Sequence, residues 1–110
     1  MKEAETSARI AERVEGWRQD MHRNRVIWVA PNGDYGPEPP DYRTDIVAAM
    51  RAAKVWCAAE TGRWFTIHIG NGYVQCEIPF CGDTLSFTRD DGNVPAAITA
   101  ALAQALVPDA

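Results

Sequence analysis

Residues 64–78, WFTIHIGNGYVQCEI, are the stretch whose reading decides the fold. Two alternating segments, 64–69 and 73–78, flank Asn71-Gly72. Asn-Gly between alternating strands is the strongest short-range hairpin signal, because the favoured two-residue turn asks for positive φ at both positions. Taking that pair as the turn fixes the register. Gly70 faces Tyr73, Ile69 faces Val74, His68 faces Gln75, Ile67 faces Cys76, Thr66 faces Glu77 and Phe65 faces Ile78. Phe65, Ile67, Ile69, Val74, Cys76 and Ile78 then share one face, and Trp64, Thr66, His68, Tyr73, Gln75 and Glu77 the other. A slip of one residue would scramble this agreement.

Downstream, Pro79 and Gly82 bracket a turn into residues 84–88, where Leu85 and Phe87 alternate with hydroxyl side chains. The result is a three-stranded meander. Asp90-Asp91-Gly92 turns the chain again. Asn93 is a candidate cap, and Pro95 falls in the first turn of a last helix, where its missing N–H costs little. Ile98, Ala101, Leu102, Ala105 and Leu106 form its apolar face, and Pro108 closes it.

Upstream, residues 39–62 form an amphipathic unit, with Ile46, Ala49, Met50, Ala53, Trp56 and Cys57 at three- and four-residue spacing. Asp41 and Thr44 are the candidate caps, Asp45 suits the positive end of the helix dipole, and Gly62 is the natural stop. Arg51 and Lys54 point outward. Residues 5–21 place Ile10, Val14, Trp17 and Met21 on one stripe, a second amphipathic helix in which Gly16 costs roughly 1 kcal/mol. Residues 26–29, VIWV, suit a central strand covered on two sides. The loop 30–40, APNGDYGPEPP, is long for a compact domain, and such loops are functional or mobile.

The element order is therefore α-β-α-β-β-β-α in a single α+β domain spanning 1–110. The expected architecture is a three-layer α/β/α sandwich on a mainly antiparallel sheet of about four strands, the meander plus strand 26–29. The helix at 44–60 and the closing helix cover its apolar face, and the first helix covers part of the other.

A chain of 110 residues with 46 % apolar and 24 % charged residues suits one soluble domain. No stretch approaches the ~20 apolar residues of a membrane span, and the charged N-terminus does not read as a secretory signal. Three cysteines without a CxxC pair, beside two histidines, point to a reduced, intracellular setting rather than a disulfide framework. The net charge of −4 argues against nonspecific phosphate binding, so nucleic acid is not the expected partner.

YRTDIVAAMRAAKVW, preceded by ARIAERVEGW and a tryptophan strand ending at Pro-Asn-Gly, resembles the phage ABA-sandwich domain family, small proteins of tailed phages and prophages with uncharacterised roles. NVPAAITAALAQAL matches the family's closing Ala-rich helix. The pattern falls on Gly16-Trp17, Trp28, Asn32-Gly33, Asp41-Tyr42, Thr44-Asp45-Ile46 and Ala97-Ile98. The chain departs from it at Arg43, where serine is usual, and at Met50, near a usual tryptophan. The resemblance implies helices on both faces of an antiparallel sheet, and a host-cell cytoplasmic location. It implies no catalytic residues.

His68 and Glu77 lie diagonally across the hairpin and can pair for acid–base work, although such pairs are far more often structural. His68, Cys76 and Cys81 do not make a zinc set, because Cys76 faces away from His68 and a fourth ligand is missing. Cys57 and Cys76 read as buried, and Cys81 as an exposed turn thiol. Asn32, Asp34, Glu38 and Asp41 gather oxygens without a calcium-loop spacing. Trp64 beside Tyr73, Gln75 and Glu77 has the character of a binding hot spot, unless the first helix covers Trp64 through Trp17.

The expected binding residues are therefore Asp34, Tyr35, Glu38, Trp64, His68, Tyr73, Gln75 and Glu77, with no catalytic or metal residue and no cofactor. The expected role is a phage accessory protein that binds a host or phage macromolecule, a protein first of all, inhibition of a host defence such as CRISPR being one form. The alternatives are a small enzyme using His68 and Glu77 beneath the 30–40 loop, and a structural homodimer.

Overall fold

The computed structural model describes residues 3–60 and 64–106, an α+β chain with three α-helices and two three-stranded antiparallel sheets. The elements run α1 (Glu3–Ile10) into a π-helical turn (Ala11–Glu15), β1 (Arg18–His22), β2 (Arg25–Val29), β3 (Tyr35–Gly36), α2 (Ile46–Glu60), β4 (Thr66–Gly70), β5 (Tyr73–Phe80), β6 (Asp83–Arg89) and α3 (Val94–Leu106). The expected stops at Gly62 and Pro108 lie outside the described residues.

The β4–β5 hairpin has the expected register, from Gly70 opposite Tyr73 to Thr66 opposite Glu77, and β6 completes the meander. Val74, Cys76 and Ile78 are buried. Positive φ is needed at Gly72 but not at Asn71, so the turn has the sign pattern of type II rather than the expected type I′. Tyr73 lies across Gly70 so closely that a Cβ there would clash with the edge of its ring. Ile69, expected inside, is 73 % exposed because it stands at the tip of an edge strand, past the helices that cover its neighbours.

α3 packs on β5 and β6, and α2 packs on α3 and β5. Asn93 caps α3 by accepting the Ala96 N–H at 3.1 Å. α2 starts later than expected: the Asp45 carboxylate accepts the Val47 and Ala48 N–H groups at 3.0 and 3.2 Å and is the cap itself. Asp41 instead builds the preceding turn, accepting from Arg43 with its side chain and from Thr44 and Asp45 with its carbonyl. The buried face of α2 is Ala48, Ala49, Ala52, Ala53 and Cys57, rotated so that Ile46 is exposed. Small side chains let α2 approach Ala97 and Ala101 of α3 within one continuous core. Trp56 fastens the far end of α2, donating to the Pro79 carbonyl at 2.6 Å and stacking on Phe80.

The N-terminal third departs from expectation. Gly16 does not sit inside a helix. It takes φ 80° and ends one, and the Gly16 and Trp17 N–H groups both donate to the Ala11 carbonyl. Residues 18–22 are strand, and the chain reverses at Arg23-Asn24, both at positive φ, as a type I′ turn requires. Met21, expected on the helical stripe, is 63 % exposed.

Strand 26–29 does not join the meander. It is the middle of a separate sheet, β1-β2-β3, in which Trp28 is the one buried side chain of β2. A single four-stranded sheet is thus replaced by two sheets of three. The first helix does not cover the polar face of the meander; α1 packs on α3 instead, and Trp64 is left 76 % exposed.

Candidate binding surface

The meander turns one face to the helices and leaves the other in solvent. The register sets Thr66, His68, Tyr73, Gln75 and Glu77 on the open face, with Trp64 just before β4. Across it His68 Nε2 lies 2.6 Å from Glu77 Oε1, and Gln75 Nε2 donates to Ser86 Oγ at 2.7 Å. These contacts hold the polar side chains down against the strands. Trp64 then stands beside a shallow hollow of about 170 Å³, lined also by Thr66, Glu77, Ile78, Pro79 and Thr84. The hollow is lined by Glu77 but not by His68, and by no residue of the 30–40 loop.

The other expected binding residues lie elsewhere. Asp34 belongs to a turn in which it exchanges hydrogen bonds with Asn32, and Tyr35 is an exposed residue of β3. Glu38 borders a groove of about 460 Å³ with Ser7, Ala8, Trp28, Pro39, Pro40 and Asp41. The eight residues therefore divide between the two sheets.

The cysteines stand as expected, Cys57 and Cys76 buried and Cys81 exposed. Burial pushes the Cys76 thiol up to about 12, which keeps it protonated and unreactive. No cluster of three or more His, Cys, Asp or Glu able to hold a metal occurs among the described residues. No helix among them is long and apolar enough to cross a membrane.

One polar constellation escaped the sequence. Glu15, its side chain 6 % exposed, accepts a hydrogen bond from the Tyr42 hydroxyl at 2.5 Å and a two-pronged contact from Arg51, at 2.5 Å through Nε and 3.0 Å through Nη2. Tyr42 is fully buried, and burial followed by the Glu15 hydrogen bond raises its pKa far above the ordinary value. A bidentate arginine and a hydroxyl compensate the buried carboxylate, and losing either would leave it underpaired. The cluster ties the end of the π-helical turn to α2. Arg51 looked like an outward helix residue, and only the position of Glu15 just before the helix-ending glycine could have signalled a partner.

No family model matches the chain, and neither the curated proteins nor the solved structures contain a match.

Proposed function

We propose that the chain is a protein-binding module whose contact surface is the open face and free edge of the meander. The observation that carries this is Trp64, three-quarters exposed beside a sheet face on which His68 pairs with Glu77 and Gln75 with Ser86. A large aromatic on a rigid, pre-paired platform is the usual anchor of an interface. β4 is an edge strand whose five residues, TIHIG, include no lysine, proline or carboxylate to discourage strand pairing. A partner can therefore add main-chain hydrogen bonds along β4 while Trp64 enters its surface. The likeness to phage ABA-sandwich proteins extends this to an accessory protein that occludes a host or phage macromolecule, a defence complex included, by analogy alone.

Capture from host lysate with tagged protein tests the proposal. Trp64→Ala should weaken capture by roughly 30-fold or more, as loss of a hot-spot residue does, with the melting temperature unchanged. Full capture by this variant would overturn it. His68→Gln separates the enzymatic alternative, because it should abolish catalysis yet barely disturb a surface centred on Trp64. A sedimentation mass of two chains, lost in Trp64→Ala, would make the partner a second copy.

A further inference from the structure

The β1–β2 hairpin is an arm with no core of its own. Residues 18–26 are exposed without a break, although they form a paired ladder. The molecule measures 48 × 29 × 27 Å, elongated rather than round. The ladder sorts the arm's side chains by face. Arg18, Val29 and Tyr35 lie in one cross-strand row, and Asp20, Ile27, His22 and Arg25 continue that face toward the tip. Met21 and Val26 share the reverse face with Gln19 and Trp28.

The charge of the arm opposes that of the chain. Residues 18–26 hold three arginines against one aspartate, in a protein whose net charge is −4. Arg18 is engaged with Asp20 at 3.3 Å. Arg23 and Arg25 have no ion pair among the described residues, and both stand at the tip. Arg23 also occupies a left-handed position, φ 50°, that type I′ turns ordinarily give to asparagine, aspartate or glycine. A long cationic side chain held at a strained tip position points to a use for its charge. Tyr35, exposed in the Arg18 row at the base of the arm, adds an aromatic surface at that end of the face.

We propose that this arm binds double-stranded DNA, laying the ribbon in the major groove with Arg23, Arg25 and Arg18 against the phosphates. A two-stranded ribbon fits a B-form major groove, whereas the deep, narrow major groove of an RNA duplex excludes it. The net charge weighs against phosphate contact over the whole surface. It does not bear on an arm whose far end stands clear of the acidic body. This surface is separate from the meander face, and the two bind independently.

Fluorescence anisotropy of a labelled 20-base-pair duplex tests this with the full chain. Binding is expected at 50 mM salt and should be roughly 40-fold weaker at 200 mM, the dependence given by about three phosphate contacts. Arg23→Glu with Arg25→Glu should abolish it. Because the tip could be disturbed by that change, Arg23→Gly with Arg25→Gln serves as the second variant. It eases the turn while removing both charges, and should take away about two units of the salt slope. Trp64→Ala should leave DNA binding intact. No binding at 50 mM salt, unchanged binding by the second variant, or tighter binding to an RNA duplex would each overturn the proposal. So would arm-dependent dimerisation without DNA, which would make the acidic body of a second copy the partner.

Discussion

Two hairpins of similar length, β1–β2 and β4–β5, have opposite fates. The β4–β5 hairpin lies on the core, and its residues alternate between helix-facing and solvent-facing positions. The β1–β2 hairpin is paired just as regularly, yet β1 is exposed at every position. Period-two patterning comes from burial on one side rather than from strand pairing itself. A strand that touches no core has no reason to alternate. Residues 18–22 therefore carry no strand signature, and the stripe Val14, Trp17, Met21 passes for a helix.

Matched truncations give the largest test of that contrast. Ile78→Ala, in the buried row of β5, should cost about 2–5 kcal/mol in urea unfolding. Val26→Ala in the arm should stay within about 0.5 kcal/mol, because its side chain is already half in water. Comparable losses at both sites would mean that the arm is packed in solution.

Gly16→Ala tests the boundary between the two regions by sign. In a continuous helix the change would stabilise by roughly 1 kcal/mol; at a left-handed helix end it should destabilise by about that amount. The nearest atom to a new Cβ, Pro31 Cγ at 3.5 Å, is in ordinary contact, so the penalty belongs to the backbone. A rise in the unfolding midpoint would restore the helix through Trp17.

The smallest effect concerns the joint between meander and α3. Hydrogen bonds from Arg89, and then from the Asn93 N–H, hold Asp91 down to about 2. A depressed carboxylate stabilises above its unfolded value near 3.9, and its contribution fades as pH falls through the folded value. The Asn93 amide resonance should therefore begin to shift below about pH 3 and reach half its change near pH 2. Asp91→Asn should remove the shift and leave the arm's resonances unaffected.

Much of the meander and α3 was legible, because each signal lay within a few residues of what it specified. Asn71-Gly72 set a register, and Asn93 before Pro95 set a helix start. Even there the turn type differed, since a Gly at the second position satisfies more than one two-residue turn. In sequence Asp45 suits the first turn rather than the cap, because Asp41 and Thr44 compete for that role, and only the geometry of the Asp41 turn decides between them. The Glu15–Tyr42–Arg51 cluster joins residues 27 and 36 positions apart, beyond the reach of any local pattern.

Sequence alone thus determined the β4–β5 register, the meander and the helices before and after it, because capping, turn chemistry and alternation act through neighbouring backbone groups. Tertiary structure decided that the strands part into two sheets, that Trp64 stands in water and that residues 18–26, with Arg18, Arg23 and Arg25, stay exposed as an arm. Those outcomes depend on which distant elements arrive to cover a surface, and exposure is a property of the assembled chain, not of any segment within it.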